Sequence, residues 1–154
     1  MDAYFLDSSA LAKRYLQENG SAWVKSLMSP SAGNLIYVAD ITAVEVISAV
    51  TRRSRGGSIS LADAAAVIAS VRNDFTRNLN VVEITSAVIR DAMPLAEKHA
   101  LRAYDAVQLS AAIQVKQVRT VAKLPMPKIA SADAELNHAA AAEGFSVDDP
   151  NAHP

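Results

Sequence analysis

A chain of 154 residues has a normal length for one domain around one core. With 51% apolar and 20% charged residues, a formal net charge of −1 and no cysteine, it excludes a disulfide scaffold, a thiolate metal site and a globally basic nucleic-acid binder. The 5% aromatic content argues against a single-strand binder built on stacking platforms.

Ala3-Tyr4-Phe5-Leu6 is a short apolar run that reads as a buried strand, and Met1 leads into it without a signal-like core. Ala10 to Glu18 reads as helix, stopped by Asn19-Gly20, and Ser21 to Met28 as a second short helix. Leu35 to Ala39 is a second apolar strand. Thr42 to about Arg53 and Ser60 to about Asn78 read as helices separated by Gly56-Gly57. Val81 to Ile84 is a third strand, followed by a helix from Ser86 to His99 with a kink or break expected at Pro94. Tyr104 to about Val118 is helical, Lys123 to Lys128 is loop, Ile129-Ala130 belongs to a fourth strand, and Asp133 to about Glu143 is the last helix. Phe145 to Val147 reads as an edge strand, and residues 149–154 as a frayed tail. Strands alternating with helices imply an α/β fold with a parallel sheet covered on both faces. No apolar run is long enough to span a bilayer, so a cytoplasmic protein without a membrane partner is expected.

Four acids stand where predicted strands end or helices begin: Asp7, Glu45, Asp105 and Asp133. Each has a structural explanation. Asp7 and Asp133 suit N-caps, Thr42 to Glu45 fits a capping box, and Asp105 sits in a first turn where the helix dipole favours negative charge. Their joint placement says more. An open parallel sheet collects ligands outside the carboxyl ends of its strands, so folding brings the four toward one edge. Asp7, Glu45 and Asp133 have no cation close by in sequence, and two unit charges ~4 Å apart repel by about 4 kcal/mol at an effective dielectric of 20. A divalent cation relieves that repulsion. Oxygen donors without Cys or His select a hard ion, Mg²⁺ or Mn²⁺, and point to phosphodiester chemistry.

The segments LDSSALAKRY, TAVEV, LRAYDAVQLSAA and SADAELNHAAAAEGF, in that order, resemble the four blocks of PIN-domain ribonucleases, and most closely the VapC-type toxins of toxin–antitoxin pairs. The resemblance implies one PIN-like three-layer α/β/α sandwich over residues 1–148, with a central parallel sheet of four to five strands. It implies that Asp7, Glu45, Asp105 and Asp133 are the catalytic and metal-binding quartet, with the Ser9 and Ser131 hydroxyls shaping the site from behind. It further implies Mg²⁺- or Mn²⁺-dependent endoribonuclease activity on an RNA substrate, a cognate antitoxin that plugs the site, and a homodimer. Ser131 stands where the family often has Thr, and the loop from Arg119 to Lys128 is longer and richer in proline than usual.

Lys13, Arg14, Arg52, Arg53, Arg55 and Arg102 are candidates for an RNA-binding rim. The bland reading of the arginines before Gly56 is charge favouring a helix C-terminus, and Arg102 also suits a local ion pair with Asp105. His99, His138 and His153 lack metal-ligand spacing and read as surface residues; Trp23 and Tyr15 read as core or dimer contacts. An aspartyl-phosphate phosphatase would need a second Asp where Ser9 stands, and a receiver domain an acidic pair where Asp7-Ser8 stands. The remaining alternative is a catalytically silent PIN-like module that binds RNA or protein.

Overall fold

The computed structural model describes residues 1–153. Five strands, β1 (Ala3–Leu6), β2 (Leu35–Ala39), β3 (Asn80–Val82), β4 (Lys128–Ala130) and β5 (Val147–Asp148), form one sheet in the order β3-β2-β1-β4-β5. Every pairing is parallel. Seven α-helices cover it: α1 (Ser8–Tyr15), α2 (Ser21–Leu27), α3 (Thr42–Arg55), α4 (Leu61–Arg77), α5 (Ser86–His99), α6 (Ala103–Val121) and α7 (Ala134–Ala142). Among the described residues no helix is long and apolar enough to cross a membrane.

The central strand shows why the chain needs helices on both faces. All four residues of β1 are buried. Tyr4 and Leu6 pack with Leu11, Val24, Val46, Val50 and Val71, from α1 to α4. Phe5 points the other way, into Leu95, Leu109, Val115 and Leu136 of α5, α6 and α7. Alternate residues of one strand thus feed two cores, which gives the continuous apolar run of a parallel strand. The result is the expected three-layer α/β/α sandwich.

Several local expectations need correction. Helix α5 runs unbroken through Pro94: the proline and Arg90, whose carbonyl loses its helical donor, both lie on the exposed face, where water replaces that bond. Helix α6 continues to Val121, so Arg119 is helical, and its Nε donates to the Pro125 carbonyl at 2.7 Å to gather the proline-rich loop. Residues 149–153 are not frayed. Pro150–Ala152 form a 3₁₀ turn with Pro150 buried, and His153 stacks on Trp23 with ring centroids 4.5 Å apart.

Candidate functional site

The chain runs outward from β1 to β2 and β3, then returns to β4 and β5 on the other side of β1. The order therefore reverses between β1 and β4, the topological switch point at which open α/β sheets bind ligands. Leu6 pairs with Ala130, and the Asp7 amide donates to the Ala130 carbonyl at 3.3 Å. Asp7 thus leaves the sheet beside Ser131.

Asp7 is only 4% exposed. As the N-cap of α1 its Oδ1 accepts the Ala10 amide at 3.0 Å. The Ser9 hydroxyl lies 2.8 Å from both Asp7 oxygens, and the Ser131 hydroxyl donates to Oδ2 at 3.0 Å. Each hydroxyl also accepts a backbone amide from the turn after β4: Ser9 from Ala132 at 2.9 Å, Ser131 from Asp133 at 3.0 Å. The two serines therefore stitch the β1–α1 junction to the β4–α7 junction. Asp133 caps α7 through the Leu136 amide at 2.9 Å. The cap readings of Asp7 and Asp133 and their position at the switch point hold together.

Glu45 comes from α3 after β2, and Asp105 from the first turn of α6. The expected capping box does not form. The cap residue is Ile41, and Thr42 is buried, its Oγ1 accepting Gln108 Nε2 at 2.8 Å. That bond ties α3 to α6 and so fixes the helix of Glu45 against the helix of Asp105. The Tyr104 hydroxyl donates to the Ile41 carbonyl at 3.1 Å, closing the same corner. Neither Tyr104, Gln108 nor Ser8, which faces Glu45, was singled out by sequence reasoning, although all three adjoin motif acids.

The carboxylates feel one another. Burial pushes the Asp7 carboxyl up from 3.8 to about 6, against the lowering effect of the Ala10 amide and the two serine hydroxyls. Glu45 is raised by burial first, then by the charges of Asp7 and Asp105, while the nearby Ser8 and Tyr104 hydroxyls oppose the rise. Asp105 is raised by burial and by Asp133, and Arg102 pulls it back. A chain of repulsion thus links all four. Glu45 Oε2 is buried and accepts no hydrogen bond among the described residues.

The donor set suits a hard cation: carboxylate oxygens, one of them unbonded. The acids do not form a closed ligand cage, however. Among the described residues no three acidic or imidazole side chains are grouped so as to hold a metal ion. The Asp7 oxygens are turned into Ser9, Ala10 and Ser131. The expectation of a ready-made tight cluster gives way to a looser corner, which fits an ion that keeps several of its waters and takes few carboxylates directly, as Mg²⁺ does.

The basic candidates divide. Lys13 is 5% exposed and donates to Glu18 Oε2 at 3.3 Å, the Asn19 carbonyl at 2.8 Å and Asn151 Oδ1 at 3.0 Å. An ammonium whose three protons all have acceptors within the chain has none left over for a phosphate. Arg14 Nε is engaged by buried Asp74 at 2.8 Å, and Arg53 by Glu18. Arg52, Arg55 and Arg102 are exposed, and Arg52 lines a groove of about 510 Å³ with Ser8, Lys13, Glu18, Glu45 and Tyr104. A depression of about 590 Å³ beside Arg14 lies between α1 and α4, but its acid, Asp74, is fully bonded by Arg14, Tyr15 and Asn78 and offers nothing reactive. His99 is not a free surface group either: its Nε2 lies 2.7 Å from Glu143 Oε1.

Among curated proteins none matches this chain. In solved structures the fold is similar to that of PAE2754 from Pyrobaculum aerophilum, with a TM-score of 0.61 and 18% identity over 99% of this chain and 86% of that one. It is similar to VapC20 of Mycobacterium tuberculosis, a sarcin–ricin loop cleaving toxin, with a TM-score of 0.61 and 17% identity over 92% and 95% of the two chains. It is also similar to VapBC2 from Rickettsia felis, solved bound to a DNA fragment from its promoter, with a TM-score of 0.58 and 11% identity over 96% and 98%. The PIN domain family profile matches residues 4–142, and the chain belongs to the PIN-domain family.

Proposed function

We propose that this chain is a Mg²⁺- or Mn²⁺-dependent endoribonuclease that serves as the toxin of a toxin–antitoxin pair and works as a homodimer in the cytoplasm. The observation that carries the reading is the line of mutually repelling carboxylates from Asp7 through Glu45 and Asp105 to Asp133, beginning at a buried Asp7 that, among the described residues, no cation touches. Such a line is unfavourable in an empty protein and is compensated by a divalent ion. Membership of the PIN-domain family and the likeness to VapC20, a sarcin–ricin loop cleaving toxin, and to VapBC2 point the same way.

Asp7 and Asp105 would hold the ion, helped by Glu45 and Asp133 directly or through water, and the ion would supply Lewis-acid polarisation of a phosphate oxygen and a lowered pKa for bound water. The chain's own groups do the rest. Ser9, Ser131 and the Ala10 amide fix the Asp7 carboxylate. Glu45, with a raised pKa and an unbonded Oε2, takes the proton of the water that attacks phosphorus. The phosphorus–oxygen bond opposite the new one breaks, the leaving oxygen takes a proton from solvent water, and Glu45 returns its proton to solvent. Arg52 and Arg102 stand exposed at the rim for the flanking phosphates. Single-stranded or loop RNA suits so shallow a cleft better than duplex.

Incubation of the pure protein with end-labelled RNA tests the reading. Cleavage with Mg²⁺ or Mn²⁺ and none with chelator is expected. RNA left intact under every condition, with retained binding, favours the silent PIN-like module instead.

A further inference from the structure

The last turn of the chain lies far from the carboxylates in sequence but reaches the wall of their groove. Asn151 Oδ1 accepts one of the three Lys13 ammonium protons at 3.0 Å, and the Asn151 carbonyl accepts Asn19 Nδ2 at 3.1 Å. Lys13 and Glu18 both line the groove that contains Glu45. Glu18 is held from two sides, by Lys13 on α1 and by Arg53 on α3. Thus one path of polar contacts runs from Asn151 through Lys13 and Glu18 to Arg53.

The turn itself is built to stay docked. Asp149 caps it by accepting the Asn151 amide at 2.8 Å. His153 stacks on Trp23 of α2 with ring planes 4° apart. Gly20 has a φ of +79°, and a Cβ there would lie 2.2 Å from the Pro150 carbonyl oxygen, so the chain at this point touches the turn backbone to backbone.

We propose that this C-terminal turn is a positioning element of the substrate groove. Asn151 holds the Lys13 ammonium at the groove wall, and Lys13 with Arg53 holds Glu18, so that this part of the wall has one shape and its charges are spent on one another. A buried ammonium that loses one of its three acceptors turns to whatever acceptor remains within reach, and the wall loosens with it. This inference rests on the nuclease reading for its consequence, RNA affinity, and not for the contacts themselves.

The test compares wild type, Asn151→Ala, Asn151→Asp and a chain ending at Asp148, by RNA-cleavage kinetics and by amide hydrogen exchange over residues 13–20. Asn151→Ala and the shortened chain are expected to raise KM for RNA roughly three- to tenfold at unchanged kcat and to speed exchange between Leu16 and Gly20. Asn151→Asp, whose carboxylate accepts the same proton, is expected to restore both. Unchanged exchange overturns the bracing. Faster exchange with unchanged KM overturns the positioning role and leaves a merely structural contact. A wild-type chain that cleaves no RNA overturns the nuclease reading, while the exchange comparison still decides the bracing.

Discussion

The Ser131 hydroxyl donates to Asp7 Oδ2 at 3.0 Å across 124 residues of sequence. Through this bond the turn after β4 reports directly on the carboxylate that ends β1. Ser131 is fully buried, and the same oxygen accepts the Asp133 amide, so one atom serves two of the four acids. Ser131→Ala removes a donor from Asp7 and an acceptor from Asp133. We expect a loss of about 1–2 kcal/mol in urea unfolding, together with a large drop in RNA cleavage. Ser131→Thr keeps the hydroxyl and is expected to lose far less activity than the alanine variant. Equal activity in wild type and Ser131→Ala would remove the serine from the site.

Asp7→Asn separates catalysis from folding. The folded carboxyl has its pKa lifted from 3.8 to about 6, so between those values the folded chain holds a proton that the unfolded chain has released. Stability in chelator therefore falls as pH rises through that window, by an amount on the order of 3 kcal/mol. The neutral amide escapes this loss. Asp7→Asn is expected to abolish cleavage, to match or exceed wild-type stability at pH 7.5, and to show a flatter stability profile between pH 4 and 6. A variant clearly less stable than wild type at pH 7.5 would contradict the burial argument.

Gln108 and Thr42 act as a pair. Gln108 Nε2 bonds Thr42 Oγ1, while Gln108 Oε1 is buried with no partner. Thr42→Val leaves the whole amide unpaired and is expected to cost about 1–3 kcal/mol. Adding Gln108→Leu removes the orphaned group and should recover much of that stability. Strict additivity in the double-mutant cycle would show that the bond does not couple α3 to α6.

Asp74 is a structural acid. It accepts Arg14 Nε, the Tyr15 hydroxyl and Asn78 Nδ2, which pins α1 to α4, and despite burial these partners hold its pKa below 3.8. Its contribution is complete above pH 3.8 and is lost as pH falls through the folded value. Asp74→Ala strands the Arg14 charge and should cost about 3 kcal/mol at pH 7, with the difference from wild type shrinking in strong acid. The ratio kcat/KM of the folded fraction should change little, because Asp74 lies away from the carboxylates.

Legibility in the sequence followed the range of the interactions. The succession of strands and helices along the chain was readable because each apolar run is short and bounded by turn residues, and Asp7 and Asp133 were readable as caps because capping is local. The capping box at Thr42 failed because its hydroxyl answers to Gln108, 66 residues away. Lys13 looked like a rim residue because its partner Asn151 is 138 residues distant. The tail looked frayed because its anchors, Gly20 and Trp23, belong to another helix region. The way the serines turn the Asp7 oxygens inward was not readable, because Ser131 lies 124 residues away.

The central claim is that the corner shared by Asp7, Glu45, Asp105 and Asp133 holds a divalent ion. Calorimetric titration of Mn²⁺ into the wild-type chain and into Asp7→Asn tests it most directly. Saturable binding to wild type, weakened at least about tenfold in the variant, is the expected result. Binding of equal strength to both chains, or none to the wild type, would contradict the account.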